Sequence, residues 1–517
     1  MKRVTCLVLC LLMIVGMFTG CGSKTETPTD PGTQTEAAPA KDTITFAYET
    51  EPSNLGPTEN DQIAAYYIAY LMFNGLFKNT ADGVVNDLCT EYTTENDENG
   101  QPTIWVLKLR EGVKFSDGSD LTAQDVVDTF EYARTAASAK AKISFTTKTE
   151  VVDDYTVKLY TNGVYGAVPQ ALCAKQLLIM PSELIAKGAD EIAMNPIGSG
   201  PYKLVKWNKG ENILLVANEN YYGDAPAIPN INWKFMAEGT SRTIALEAGE
   251  VDFVISVDAL DIPRLQSNDK YNVSITNGSM YTYMRLNCSK APFNDANFRK
   301  FLAAAINRDD IVKVALDGYG TPITSCVNIA IAGNTDVNSI GTDKAKAEEY
   351  LKAWGGDPST VSFEIVVATD VRRRMAEVIQ SNLLEYGINT EVKMTESATT
   401  STIVANGEYD CVLFAYTTDD FMAFAKQLYY TGPGCTDAVK WMMGDATWQN
   451  PMIDEIAQEL DSAKQLELIS KFNEQLNLEE PNVPIYCSQV ILGYDKNLNG
   501  VKVNPMGFFR VEEFSWN

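Results

Sequence analysis

Apolar and polar residues alternate over residues 42–48, with Ile44, Phe46 and Tyr48 on one face, the period of a half-buried strand. The period then lengthens. Ile63, Tyr66, Tyr67, Tyr70 and Leu71 recur at helical spacing within 61–73, and Gly75 supplies a stop. Trp105, Leu107 and Leu109 alternate again, which predicts a strand, and Ser116-Asp117-Gly118 predicts a turn. Thr122 and Asp125 have the spacing of a capping box ahead of a buried stripe of Val126, Val127 and Phe130. Further strands are expected at 155–160, 202–207, 213–217 and 231–235. Asn294 or Asp295 is placed to cap a helix whose apolar set is Phe298, Phe301, Leu302, Ala305 and Ile306. Asp309 is expected to cap a short continuation that Gly318 ends. Residues 361–368, 371–386 and 388–394 predict strand, helix and strand, a βαβ unit with a right-handed crossover. The body is therefore mixed α/β, and its 517 residues call for more than one compact unit.

The first forty residues follow a different logic. Lys2 and Arg3 precede an apolar run that ends in Thr19-Gly20-Cys21, too short for a stable membrane span and suited to a secretory leader over 1–20. Phe18 to Cys21 resembles a bacterial lipobox, which would make Cys21 a lipidation site; an ordinary signal peptide is the alternative. Residues 21–41 are rich in Thr, Pro, Glu and Ala and lack large apolar side chains, so a flexible tether is expected. The implied location is outside the cytoplasm, on the cell membrane through the lipidated cysteine.

Composition narrows the chemistry. Lys+Arg is 42 and Asp+Glu is 68, a net charge of −26, which repels phosphate backbones and argues against nucleic-acid binding. Histidine is absent, so Ser-His-Asp and Cys-His catalysis and every His-ligated metal site are excluded. Of the 10 cysteines, Cys6 and Cys10 lie in the leader and Cys21 ends it. The remaining Cys89, Cys173, Cys288, Cys326, Cys411, Cys435 and Cys487 are odd in number and show no CxxC, so buried free thiols are expected. No GxSxG, Walker A or HExxH motif occurs, and a non-enzymatic protein without cofactor or metal is expected.

Several blocks, in order, carry a resemblance. They are WVLKLREGVKFSDG at 105–118 with LTAQDVV at 121–127, and GSGPYKL at 198–204 leading through Trp207 to NYYG at 220–223. ALEAGEVD at 245–252 follows, then Asn287, APFND at 291–295, Arg299, AINR at 305–308, and a proline-bearing block at 474–486. Together they resemble the oligopeptide-binding (family 5) extracellular solute-binding lipoproteins of bacterial ABC importers. Leu55-Gly56-Pro57 departs from the usual Leu-Asp-Pro, and Asn307 stands where Asp is frequent. The resemblance implies a two-lobed periplasmic-binding-protein-like fold of type II with an extra inserted subdomain and a hinge of two crossing segments. Lobe I would span 42–275, with the insertion at about 75–190, and regain the chain at 487–517; lobe II would span 276–486. The implied partners are a small peptide, the ABC permease transmembrane subunits and the membrane through its lipid anchor, with the receptor a monomer. A non-peptide solute such as a sugar or nickel chelate, or a peptide sensor without transport, is the alternative.

The resemblance also implies a site. At the C-terminal end of an apolar strand over 412–416, Tyr416 takes the aromatic position and Asp419 the acid that meets a peptide's α-ammonium. Thr417 and Thr418 are expected as main-chain contacts, since an extended peptide is read best by strand pairing. Asn287 and Tyr486 are candidates near the crossings between lobes. The alternative is that Asp419 and Asp420 are ordinary loop acids or a helix cap, and Arg372-Arg373-Arg374 is expected as a solvated face. Arg299 and Arg308 are expected to hold helices. Tyr66, Tyr67, Tyr70 and Phe73 are expected in helical core packing, with the cleft wall as the alternative.

Overall fold

The computed structural model describes residues 41–432, 438–444 and 446–517. The leader, Cys21 and the tether up to residue 40 lie outside the described residues, as does Cys435.

Among the described residues the largest sheet has 11 strands. One end is parallel. Ser362–Val367 runs beside Asn389–Met394 and joins Cys411–Thr417, with the helix Asp370–Leu384 as the crossover. The other end is mixed: Thr43–Tyr48 lies between Asn230–Phe235 and Phe253–Ile255, both parallel to it, and the antiparallel strands Asn212–Ala217 and Tyr202–Asn208 continue to the edge. Two long antiparallel strands, Tyr271–Leu286 and Asn482–Asp495, lie between the two ends and belong to both.

The long pair is irregular in its middle. Its register shifts between Asn277 and Tyr281 and again between Thr282 and Tyr283. Gly278 sits at that point, where a Cβ would approach Ser488 Oγ to 2.7 Å and Ser488 O to 3.2 Å, so glycine eases the close approach of the strands. The two strands escape a period-two reading for a physical reason. From Ser279 onward the first is covered on both faces, which replaces alternation with a nearly continuous buried run. Asn277-Gly278-Ser279 and Pro484 add false turn signals inside them.

Among the described residues, three of the apolar clusters organise these sheets. Phe46 stacks on Trp233 at 4.8 Å and on Phe509 at 5.7 Å, so C-terminal residues complete the core of the first strand. Phe298, Phe301, Ile365, Ile379 and Leu413 are fully buried around the βαβ unit. A separate four-stranded antiparallel sheet, Cys89–Glu95, Ile104–Leu109, Thr156–Thr161 and Thr146–Asp153, packs Trp105, Leu107 and Leu159 against Val126 and Phe130 of the helix Ala123–Thr135. Six cysteines, Cys89, Cys173, Cys288, Cys326, Cys411 and Cys487, are free and buried.

Two helix starts differ from expectation. The helix Arg308–Ala315 is capped by Asn307, whose Oδ1 accepts from Asp310 N at 3.2 Å, and Asp309 is its second residue. Asn and Asp cap about equally well, so the pattern offered two adjacent solutions. The tyrosine helix is Ile63–Met72, shorter than 61–73, because Asn60 Oδ1 holds Gln62 N at 3.0 Å and Asp61 is engaged by Gln176. Asp295 does cap Ala296–Ala305, accepting from Asn297 N at 2.8 Å. Arg299 and Arg308 are buried and spend their guanidinium donors on main-chain carbonyls, Glu479 and Phe293 for the first and Pro484 and Ala303 for the second.

Asp125 joins two elements. One carboxylate oxygen accepts from Thr122 N at 2.8 Å and completes the capping box, while the other accepts from Ser182 N at 2.8 Å and Ser182 Oγ at 3.0 Å. Asp125→Ala is expected to destabilise the protein by about 2 kcal/mol through the lost cap and stranded donors, visible as a lowered urea midpoint.

Candidate functional site

A cavity of ≈ 480 Å³ lies where five distant parts of the chain converge, a size typical of small-molecule sites. Tyr66 and Tyr70 come from the helix Ile63–Met72 and Asn79 from the strand Phe77–Thr80. Thr418, Asp419 and Asp420 follow the strand Cys411–Thr417, and Phe508 and Arg510 belong to the C-terminal segment. The aromatic wall is preformed. Tyr66 stacks on Phe508 with centroids 5.5 Å apart and planes within 5°, and Tyr70 meets the same ring edge-on at 5.2 Å.

Local hydrogen bonding explains how the acids are placed. Asn328 is fully buried and donates through Nδ2 to Ser279 O at 2.6 Å and Thr418 O at 3.0 Å, tying the long strand to the end of its neighbour. Thr418 N donates back to Ser279 O at 3.2 Å, and Thr418 Oγ1 accepts from Asp420 N at 3.0 Å. Asp420 caps the helix Phe421–Leu428, accepting from Met422 N at 2.7 Å and Ala423 N at 3.2 Å. That leaves Asp419 as the acid free of a capping duty. Its carboxylate accepts from Asn79 Nδ2 at 2.6 Å, a neutral donor 340 residues away in sequence. Burial raises the Asp419 carboxyl above the ordinary carboxylate range; the Asn79 bond opposes this and the Asp420 charge adds to it. Burial raises Asp420 also, against its two backbone donors.

Positive charge faces the same space. Lys142, Lys426 and Lys502 line it, as does Arg510, whose side chain is 17% exposed and whose guanidinium stands 3.9 Å from Glu512. Asp419 and Arg510 both act electrostatically on the Tyr70 hydroxyl: burial pushes it up, Arg510 lowers it and Asp419 raises it. The two charges therefore lie near one side chain with opposite signs. An acid, a guanidinium and an aromatic wall around one cavity suit a zwitterion carrying an amine and a carboxylate. Among the described residues no group of three or more Cys, Asp and Glu is placed to hold a metal ion.

The sequence candidates separate. Thr418 and Asp419 line the cavity, and Asp420 lines it while serving as a cap. Tyr416 is half-buried, 6.5 Å from Phe424, and Thr417 is exposed; neither lies in the cavity wall. Only Cys411, Val412 and Leu413 of that strand are buried, so its second half is more open than its apolar composition suggests. Asn287 points into the protein, donating to Gly407 O at 3.1 Å and Tyr409 O at 3.0 Å. Tyr486 is buried in the core around Phe298, opposite Thr282 in register. Tyr67 and Phe73 are core residues, whereas Tyr66 and Tyr70 reach the cavity. Arg372 lies over the Phe414 ring at 5.8 Å and is partly buried rather than solvated, while Arg373 pairs with Glu377 at 2.5 Å. Asn79, Asn328 and Arg510 carried no sequence signal, since a single polar residue in no motif looks like any surface position.

The chain matches the model of the bacterial extracellular solute-binding proteins, family 5 Middle, over residues 83–436. It is 25% identical over 500 residues to the glutathione-binding protein GsiB of Escherichia coli (strain K12), covering 92% of this chain and 94% of the relative. HbpA2 from Haemophilus parasuis superposes with a TM-score of 0.82 at 23% identity, over 92% of this chain and 100% of that one. The periplasmic binding protein DppA from Helicobacter pylori, solved with the peptide STSA, gives a TM-score of 0.71 at 20% identity, over 92% and 98%. These neighbours are type II periplasmic binding proteins, and the present fold is of that two-lobed class.

Removing the Asn79 donor takes away the largest influence that opposes burial at Asp419. Asn79→Ala is expected to raise the Asp419 carboxyl further, which a carbon-detected NMR titration of that side chain measures.

Proposed function

The chain belongs to the bacterial extracellular solute-binding proteins of family 5, transport receptors rather than enzymes, and we propose that it captures short peptides and delivers them to an ABC permease. The observation that carries this reading is the Asp419 carboxylate, set in a half-buried cavity wall and held by a neutral amide. A peptide α-ammonium arriving there exchanges water for a charge-assisted bond and relieves the acid's desolvation. Arg510, with Lys142, Lys426 and Lys502, faces the peptide's carboxylate, and Tyr66, Tyr70 and Phe508 offer apolar surface between the charged ends. A relative named for glutathione, itself a tripeptide, and a neighbour solved with a peptide support the class of cargo.

Closure follows from contacts to both sides of the cavity. A ligand bridging Asp419 and the C-terminal segment favours the closed shape by its differential affinity for it, and the permease can recognise that shape. In this reading lobe I comprises 42–275 and 487–517 and lobe II 276–486. The two long strands carry the crossings between them. Cys21 is the lipidated residue, 21–41 the leash, and the receptor works as a monomer outside the cytoplasm; among the described residues no helix is long and apolar enough to cross a membrane. In-cell labelling with radiolabelled palmitate is expected to mark the wild type and to be lost in Cys21→Ala; retained label refutes the anchor.

Calorimetry against a mixed di- to penta-peptide pool that includes glutathione tests the cargo. Binding in the micromolar range, about −8 kcal/mol, is expected, and silence across the pool rejects it. Asp419→Asn should weaken amine-bearing ligands by about 2–5 kcal/mol; unchanged affinity places the amine elsewhere. The pH dependence has a definite sign. Only the carboxylate attracts an ammonium, and the folded Asp419 holds its proton to a higher pH than the ordinary carboxyl of about 3.9. Affinity should therefore fall on acidification from a pH above that value, and the fall should be absent in Asp419→Asn.

A further inference from the structure

Beside the cavity, outside its wall, the two sides of the molecule meet main chain to main chain. Gly166 lies in the turn between the strand Thr156–Thr161 and the helix Val168–Ala171. Its N–H donates to Ala457 O at 2.7 Å, and Ala457 belongs to the helix Gln449–Gln458. A Cβ built on Gly166 would stand 1.8 Å from Glu459 O and 2.7 Å from Glu459 C, with Gln465 Nε2 at 3.4 Å. The first two are backbone atoms, so no side-chain rotation relieves the overlap. The opposing backbone is itself held: Glu459 N donates to Glu455 O at 3.1 Å, and Gln465 Nε2 to Ile456 O at 3.0 Å.

The backbone at Gly166 does not require glycine, because its φ lies outside the left-handed region. An alanine there suits the turn and collides only with the chain across the gap. Gly163 is the internal contrast, since a Cβ on it meets nothing within 4 Å. The neighbours of Gly166 connect this contact to the cavity. Tyr165 lines the cavity and lies 5.2 Å from Phe145 on its own side, while Lys426 from the other side sits 5.8 Å over its ring. Ala167 is buried in the same cluster as Phe424 and Phe472.

We propose that Gly166 is a closure-determining residue: its missing side chain lets the turn 165–167 dock on residues 457–459, and ligand affinity depends on that docking although Gly166 touches no ligand. The proposal rests on the two-lobed capture reading above. It deepens that reading by naming a positioning residue outside the cavity wall. Affinity scales with the fraction of molecules able to close, so a variant that cannot dock loses affinity without losing any ligand contact.

The test compares full-length wild type, Gly166→Ala and Gly163→Ala. Small-angle scattering with and without the mixed peptide pool should give Gly166→Ala the larger radius of gyration under at least one condition, and Gly163→Ala the wild-type value throughout. Peptide affinity by calorimetry should fall by roughly tenfold or more in Gly166→Ala alone. Far-UV circular dichroism and the thermal midpoint establish that the variant is folded. Wild-type radii in Gly166→Ala under both conditions overturn the proposal, and so does unchanged affinity. Should that variant not fold, amide exchange of the wild type decides: a Gly166 N–H protected relative to the Gly163 N–H supports the docking, and equally fast exchange overturns it. If no peptide binds the wild type, the cargo reading fails while scattering and amide exchange still judge the contact.

Discussion

The antiparallel pairing of Tyr271–Leu286 with Asn482–Asp495 is the constraint on which the rest of this molecule depends. Both strands share one sheet with the N-terminal strands at one end and the βαβ unit at the other, so each end's position is set through them. A regular ladder of this length would be a stiff bar. Here the register slips near Asn277–Tyr281, Gly278 allows close approach, and Cys487 Sγ lies 2.8 Å from Gly278 O where the ladder is interrupted. Irregular pairing concentrates bending at one place, which is where the proposed closure would act.

The cavity carries a second tension, electrostatic in kind. Asp419 binds its proton more tightly in the folded protein than in the unfolded chain, because burial disfavours the charge. The sign follows from proton counting. Between the unfolded and the raised folded value the native state holds more protons, so stability falls as pH rises through that window. The ionised acid is thus a net cost to the folded protein, and in the proposed reading an incoming ammonium removes part of it. Asp420, Thr418 and Asn328 keep the segment in place while that cost is borne, through bonds that leave the Asp419 carboxylate uninvolved.

Buried charge is handled differently elsewhere. Arg299 and Arg308 lie deep in the protein but spend their donors on carbonyls of the segment around Glu479–Pro484, which fixes the entry of the second long strand. Arg510 has a different setting. It stands in the cavity wall with Glu512 at 3.9 Å, beyond hydrogen-bonding distance. Arg299 and Arg308 direct most of their donors into the fold, whereas Arg510 is left at the cavity wall, where the proposed reading gives it to the ligand.

Local pattern alone was enough for elements whose two faces meet different surroundings. Thr43–Tyr48, Ile104–Leu109, the Thr122–Asp125 box and the stripe from Phe298 to Ile306 are all legible, because periodicity records which side is buried. The ordered blocks through the chain pointed to its family, and the acid after the Cys411–Thr417 strand was visible as a candidate. The long strands were not legible as strands, since burial on both faces erases alternation. Nor was the makeup of the cavity wall. Asn79 meets Asp419 across 340 positions, Arg510 arrives from the last turn of the chain, and Gly166 matters only because Glu459 stands opposite. Sequence determines what each segment prefers locally; which lone polar groups share one enclosed volume is decided by the tertiary structure, because that depends on distances between residues far apart in the chain.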